Sequence, residues 1–175
     1  YALTLIEADS QNPRTIYVED GLYSESLNNQ YFPLHMKSYV SLIGESMNYT
    51  ILDSESGQIY ANDILEAGNG FLQRDWSVMN FKMINTFDIA SCTIQLNHNV
   101  YFENIEISDG AFAALIRIYL TKIDMNNIYI HDCVDSAALW FYGSNGYDVN
   151  FTNFKVHNLS CDGNVGFTIK KNPSS

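Results

Sequence analysis

The stretch that decides the fold is Val100-Tyr-Phe102-Glu-Asn104-Ile105-Glu-Ile107-Ser-Asp109, in which apolar and polar residues alternate on both sides of a central asparagine. In a β-strand, this period of two places the apolar side chains on one face. The alternation changes phase at Asn104, so the chain has to bend there without forming a hairpin. Asparagine tolerates the left-handed conformation that such a bend requires. The stretch therefore predicts two short strands joined by a one-residue bend.

The same pattern occurs four times, which indicates a repeat architecture. Its central asparagines are Asn80, Asn104, Asn127 and Asn153, at spacings of 24, 23 and 26 residues. A third apolar segment follows each pair of strands, which gives three strands per repeat. This arrangement predicts an all-β parallel β-helix in which the asparagine amides form a ladder from coil to coil. A leucine-rich repeat has a similar period but only one strand per turn, so it is the weaker alternative.

Composition limits the possible partners. With 9 Lys and Arg against 20 Asp and Glu, the net charge is −11, which disfavours nucleic acid and anionic membranes. The 19 asparagines and 17 isoleucines favour short strands with tight turns over a helical bundle. No apolar run of 18 residues is present, so we expect no membrane-spanning helix, and the first residues lack the features of a signal peptide.

We predict one domain over residues 1–175, with regular coils over 71–175 and less regular coils over 15–70. Residues 1–13 are predicted to form a short capping helix whose buried face is Ala2, Leu5 and Ile6. No comparable cap follows Gly166 at the other end, so we expect further coils or a partner there.

The N-terminal third carries a family resemblance. Its segments are Thr15-Ile-Tyr-Val-Glu-Asp-Gly21-Leu-Tyr-Ser24, Phe32-Pro-Leu34, Ser38-Tyr-Val-Ser-Leu-Ile-Gly-Glu45 and Tyr49-Thr-Ile-Leu-Asp53. They resemble the opening coils of bacterial surface proteins in the pectin-lyase-like superfamily. The resemblance covers residues 1–60 by motif and the remainder by repeat pattern. It implies a right-handed β-helix that is secreted or on the cell surface.

The third strand of each repeat carries the candidate ligand-binding residues. If Ile94, Ile116 and Leu139 point inward, two outward columns result. The first column is Gln95, Arg117 and Trp140, and the second is Asn97, Tyr119 and Tyr142. Aromatic rings and a planar cation suit sugar rings and uronate carboxylates. A longer turn over 143–148 would bring Tyr147 near Trp140. An ordinary stacked aromatic ladder is the alternative interpretation.

Acidic residues are predicted in the turns before this strand. They are Asp88, Asp109, Asp132, Asp135 and Asp162, and we place Asp109, Asp132 and Asp135 at the rim of the sugar-binding face. Stacked carboxylates of this kind can hold calcium, although aspartate also favours turns for local hydrogen bonding. His131 and His157 fall at equivalent repeat positions, where two solvent-facing histidines are a better prediction than a metal site.

The three cysteines allow one disulfide at most. Cys133 and Cys161 are predicted in the turns before the third strand of consecutive coils, and they are the predicted pair if the protein is secreted. Cys92 is predicted to be a buried thiol. No zinc-ligand spacing is present.

Catalytic signatures are absent. Polygalacturonase-type enzymes require Asn-Thr-Asp, Asp-Asp, Gly-His-Gly and Arg-Ile-Lys, whereas Arg117-Ile118 is followed here by Tyr119. The leading hypothesis is therefore a non-catalytic extracellular module that binds polysaccharide or a cell-surface glycan, without a cofactor apart from calcium. The alternatives are a fragment of a polysaccharide lyase or glycoside hydrolase, and a structural spacer of a longer surface protein.

Overall fold

A computed structural model describes residues 2–55, 64–67, 75–85, 90–93, 99–109, 111–119, 122–132, 134–142 and 155–161. For residues 66–67, 90–93, 99, 111–119, 122–123, 134–142 and 155–161 it describes the backbone and the strand register only. In chain order the elements are α1 (Ala2–Leu5), β1 (Arg14–Val18), β2 (Gly21–Tyr23), α2 (Glu25–Asn28), β3 (Leu34–His35), β4 (Val40–Gly44), β5 (Thr50–Asp53), β6 (Leu65–Ala67), β7 (Trp76–Ile84), β8 (Ala90–Thr93), β9 (Asn99–Ser108), β10 (Ala111–Tyr119), β11 (Lys122–His131), β12 (Val134–Tyr142) and β13 (Lys155–Cys161).

The described strands form two sheets in which every pairing is parallel. The larger sheet has the order β1-β4-β7-β9-β11-β13, with β2 paired to β5 and β5 paired to β7. The smaller sheet has the order β12-β10-β8-β6-β3. From β7 onward, successive strands alternate between the two sheets. The predicted all-β class is therefore confirmed, with parallel sheets and little helix.

The buried residues recur at fixed positions relative to each ladder asparagine. Relative to each ladder asparagine, the residues two before, one after and three after are at most 1% exposed. These side chains are Val78, Phe81 and Met83, then Phe102, Ile105 and Ile107, then Met125, Ile128 and Ile130. Because burying one such side chain is worth about 1.5–3 kcal/mol, this stacked column of apolar side chains is the main source of stability.

The asparagine bends adopt the predicted conformation. The φ angles of Asn80, Asn104 and Asn127 are 63°, 52° and 55°, and each lies within a strand of the larger sheet. Asn104 Nδ2 donates to Asn80 Oδ1 at 2.9 Å, and Asn127 Nδ2 donates to Asn104 Oδ1 at 2.8 Å. The ladder begins at Gly44, whose carbonyl accepts from Asn80 Nδ2 at 3.2 Å. Each strand is therefore a single bent strand and not two separate ones.

A second bend ends each of these strands. Asn85, Asp109 and Asp132 also have positive φ angles, of 53°, 57° and 52°. They stand five residues after the ladder asparagines, at the point where the chain leaves the larger sheet. The repeat thus uses residues that tolerate the left-handed region at both of its sharp turns.

The last strand of the larger sheet has a register that the sequence analysis did not predict. In β13, His157 lies opposite Asn126 and Leu159 lies opposite Ile128, so Asn158 takes the ladder position opposite Asn127. Asn153, which we predicted there, lies outside the described residues. The prediction that His157 is equivalent to His131 is wrong for the same reason. Both Asn153 and Asn158 are followed by an apolar-any-apolar pattern, so the motif fits either register.

The first residues form a shorter helix than we predicted, and the predicted buried face is wrong, because Ala2 and Leu5 are exposed and Ile6 is only half-buried. Helix α1 has four residues, its buried side chain is Leu3, and Leu5 is 65% exposed. Ala2 is also exposed, because so short a helix directs only one side chain toward the core. The Lys37 ammonium group donates to the carbonyls of Thr4 and Ile6, both at 3.1 Å, which holds the end of α1. Within the described residues, no helix is long and apolar enough to cross a membrane.

Candidate functional site

The backbone of the smaller sheet brings the predicted sugar-binding positions together. Arg117 in β10 lies opposite Trp140 in β12, and Tyr119 lies opposite Tyr142. Residues two apart in a strand share a face, so these four positions form a two-by-two block on one face of the sheet. The structure does not describe their side chains, so the binding role stays a prediction.

The register indicates which face this is. Leu65 is fully buried and lies in one column with Ala90, Ile116 and Leu139. The neighbouring column, offset by one residue, therefore belongs to the opposite face. This outer column consists of His35, Glu66, Ser91, Arg117 and Trp140. His35, the member of this column whose side chain is described, is exposed.

Two predicted members of these columns are wrong. Ser91 lies opposite Arg117 and Thr93 lies opposite Tyr119, in the places that we assigned to Gln95 and Asn97. Strand β8 is thus shifted by four residues relative to the predicted alignment. An even shift keeps the same alternation of apolar and polar residues, so the pattern alone does not exclude it.

Only some of the aspartates that we predicted in turns lie in turns. Asp109 is exposed and follows β9 directly, and Ser108 Oγ donates to its carboxylate at 2.9 Å. Asp132 stands at the equivalent bend after β11. Asp135 is the second residue of β12, so its predicted place in a turn is wrong. Asp88, Asp162 and Tyr147 lie outside the described residues.

Among the residues that are described, no three acidic, histidine or cysteine side chains are placed to hold a metal ion, so calcium binding stays a prediction.

The cysteine positions also differ from the prediction. Cys161 ends β13 opposite Ile130, whereas we placed it in a turn. Cys133 lies outside the described residues. Cys92 lies opposite Ile118, in a column offset by two residues from the one that contains Leu65. That column belongs to the inward face, where a buried thiol is predicted.

A cluster of charged residues lies on the outer face of the larger sheet and spans three neighbouring strands. Glu106 Oε1 accepts from Lys82 Nζ at 2.7 Å and contacts His131 Nε2 at 3.1 Å. The other ring nitrogen of His131 contacts the Asp132 carboxylate at 2.7 Å. The ring of Tyr129 stacks on that of His131 with centroids 4.4 Å apart. We call Lys82, Glu106, His131 and Asp132 the charged cluster.

The charged cluster shifts the pKa of two of its members. Partial burial raises the pKa of Glu106, but hydrogen bonds from Lys82 and His131 outweigh burial and lower it overall. Partial burial lowers the pKa of His131, but hydrogen bonds to Asp132 and Glu106 outweigh it and raise the pKa overall. Both shifts favour the charged forms. Each side chain of the charged cluster contacts an oppositely charged neighbour. The cluster is therefore an ion-pair network that joins three strands of the larger sheet.

These shifts predict a pH-dependent contribution to stability. The stabilisation from His131 is fully present below its ordinary pKa of 6.5 and is lost as pH rises through the raised value. The stabilisation from Glu106 is present above its ordinary pKa of 4.5 and is lost as pH falls through its lowered pKa. We expect His131→Gln to lower the free energy of unfolding by about 1 kcal/mol near pH 5.5, and by less near pH 8.5.

Urea denaturation at the two pH values measures this difference. The control is His35→Gln, an exposed histidine of the smaller sheet that is outside the charged cluster. An equal loss at both pH values for His131→Gln would contradict the ionic role of this residue.

The sequence analysis missed the charged cluster, although the repeat contains a signal for it. Lys82, Glu106 and Tyr129 each stand two residues after a ladder asparagine, and they share one column of the sheet. A Lys and a Glu at the same repeat position in neighbouring coils predict a pair across about 4.8 Å. His131 lies in the next column, four residues after Asn127.

Comparison with protein-family models, with curated proteins and with solved structures gave no match to this chain. The functional argument therefore depends on the residues and on their geometry.

Proposed function

We propose that this chain is a secreted or cell-surface module with a right-handed parallel β-helix fold of the pectin-lyase-like type, and that it binds carbohydrate without cleaving it. The proposed binding surface is the outer face of the smaller sheet. Its core is the two-by-two block of Arg117, Tyr119, Trp140 and Tyr142.

The fold part of the proposal is supported by how the strands alternate. Each regular repeat contributes one long bent strand to the larger sheet and one strand to the smaller sheet, and all pairings are parallel. Parallel neighbours need a connection that returns the chain to its starting side. A coil that passes through both sheets in turn provides that connection. The asparagine ladder adds a second line of contacts along the stack.

The observation that carries the binding part is the register that pairs Arg117 with Trp140 and Tyr119 with Tyr142. Neighbouring strands lie about 4.8 Å apart, so these four positions are adjacent on one face of the sheet, and we call them the binding strip. Sugar rings stack on aromatic faces, and a guanidinium group binds a carboxylate with two hydrogen bonds. A polysaccharide or cell-surface glycan is the class of ligand that this strip suits. Arg117 can bind a single uronate carboxylate, whereas the net charge of −11 disfavours a densely charged polyanion.

The non-catalytic part is supported by the charged cluster. Lys82, Glu106 and His131 are the kinds of residue that serve as acids and bases, but here they neutralise one another. Both ring nitrogens of His131 are within hydrogen-bonding distance of carboxylates. An acid or base held in this way contributes to stability more readily than to proton transfer.

A glycan array tests the proposal. Wild-type protein is expected to bind polysaccharides of the array, and Trp140→Ala is expected to weaken that binding by about tenfold, as for a central aromatic residue of an interface. The matched control is Tyr49→Ala, which removes an aromatic side chain that is 67% exposed in a loop away from the smaller sheet. Equal binding by wild type and Trp140→Ala, or release of unsaturated sugar products, would contradict the proposal.

A further inference from the structure

A cavity of about 380 Å³ opens at the N-terminal end of the two sheets, beneath α1. Its lining includes Leu3 of α1 and, on the opposite side, the core residues Leu42, Leu52 and Phe81, all at most 8% exposed. Its walls include Ile16 and Val18 of β1, which are only half-buried. Cavities of about 300–1,000 Å³ with mainly apolar walls are typical of small-molecule sites.

The polar groups at this cavity are acidic or neutral. Among the described residues, the polar ones that line it are Glu19, Tyr17, Tyr23 and Gln30, and none of the described lining residues is a lysine, arginine or histidine. Tyr17 is 78% exposed, so its ring is accessible to a bound molecule. The Tyr23 hydroxyl donates to the Glu19 carbonyl at 2.9 Å, which fixes the Tyr23 ring at the cavity wall.

Two further carboxylates strengthen the negative potential here. Asp20 follows Glu19 in the chain, and the Asp20 amide donates to the Glu45 carboxylate at 3.1 Å. Burial, followed by the charges of Glu19, Asp20 and Glu45, raises the pKa of the Tyr23 hydroxyl. The same charges that disfavour a tyrosinate favour a cation at this place. An apolar cavity with a negative rim is thus complementary to a molecule that has an apolar body and a positive head group.

We propose that this cavity binds an amphiphilic organic monocation, a molecule with an alkyl or aryl body and a single ammonium group. The apolar body lies against Ile16, Val18 and Leu34, the half-buried apolar residues that line the cavity. The ammonium group lies at the rim, near the Glu19 carboxylate and the ring of Tyr17, since aromatic faces attract quaternary ammonium groups. This site is separate from the carbohydrate-binding face, so each proposal can fail without the other.

Calorimetric titration with octyltrimethylammonium, which remains monomeric at millimolar concentration, tests the inference. We expect saturable binding by wild type, weaker binding of octanol, and no binding of octyl sulfate or of tetramethylammonium. Glu19→Gln is expected to weaken binding of the cation by roughly threefold, the effect of one partly exposed charge pair. Val18→Phe, which fills the cavity from β1, is expected to abolish binding.

The matched control is Glu7→Gln, which removes the same charge from an exposed residue that does not line the cavity. Methyl chemical shifts of Leu3, Leu42 and Leu52 should move on titration, and Trp140→Ala should bind the cation like wild type. The inference is overturned if wild type does not bind octyltrimethylammonium, if octyl sulfate binds equally well, or if Glu7→Gln weakens binding as much as Glu19→Gln does. Should Val18→Phe fail to fold, the two glutamate variants still decide the question.

Discussion

The Gly44→Ala variant should lose about 3 kcal/mol of unfolding free energy, the upper end of what overpacking a tightly packed core costs. A Cβ atom at this position would lie 2.2 Å from the carbonyl oxygen of Asn80, and 3.0 Å from the Cβ and Cγ2 atoms of Thr50. The first of these is a backbone atom at the start of the ladder, and it cannot move without disturbing the Asn80 bend. Thr50 is fully buried, and its hydroxyl donates to Asp20 Oδ1 at 2.9 Å.

The matched control for this substitution is Gly21→Ala. The atoms nearest to a Cβ at Gly21 are 3.6 Å or more away and belong to the Tyr23 ring, which is ordinary van der Waals contact. Replacing a glycine where alanine fits reduces the entropy of the unfolded chain, so we expect no loss or a small gain in stability. Chemical denaturation of both variants measures the difference. Equal stabilities of the two would show that β4 and β7 are not packed as closely as described.

The asparagine ladder could be predicted from sequence because its cause is local. A change of phase in the apolar alternation requires a bend, and Asn80, Asn104 and Asn127 are the residues at that bend. Repetition at nearly constant spacing then stacks the bends above one another. Gly44 occupies the equivalent position one coil earlier, but its sequence context does not reveal how close Asn80 would come.

The strand registers were predicted less accurately than the ladder. An alternation with a period of two fits every register that is shifted by an even number of residues. In β8, a shift of four residues moves Ser91 and Thr93 into the places of Gln95 and Asn97 without exposing the apolar face. In β13, Asn158 replaces Asn153, since each has apolar residues at the positions that the motif requires. What decides between registers is the length that each connection needs, and alternation carries no information about that length.

The charged cluster and the apolar cavity were missed for a different reason. Both consist of residues that are distant in sequence, and their properties arise only when the coils are stacked. Lys82 and Glu106 stand at the same repeat position, so the ladder spacing predicts their pairing, whereas the contact of Glu106 with His131 in the next column is not predicted by it. Leu42, Leu52 and Phe81 fit the pattern of core residues, and the alternation gives no sign that they line a cavity.

The Asn104→Leu variant should also lose about 3 kcal/mol, for a reason that differs from overpacking. Asn104 is in the middle of the ladder, where it donates to Asn80 and accepts from Asn127. Leucine removes both hydrogen bonds, at about 1 kcal/mol each. It also has to adopt the φ of 52° that Asn104 has, and this left-handed conformation costs a residue with a Cβ roughly 1–2 kcal/mol.

Two further variants separate these contributions. Asn104→Gly loses the same hydrogen bonds but has no steric penalty at a positive φ, so it should be more stable than Asn104→Leu by about 1–2 kcal/mol. Asn127→Leu should cost about 1–3 kcal/mol, because Asn127 is more exposed, and its described ladder bond is the one that it donates to Asn104. Thermal and urea denaturation of the three variants give the order of stability. If Asn104→Leu melts at the temperature of the wild type, the ladder does not stabilise the stack, and the apolar column beneath it is sufficient to hold the coils in register.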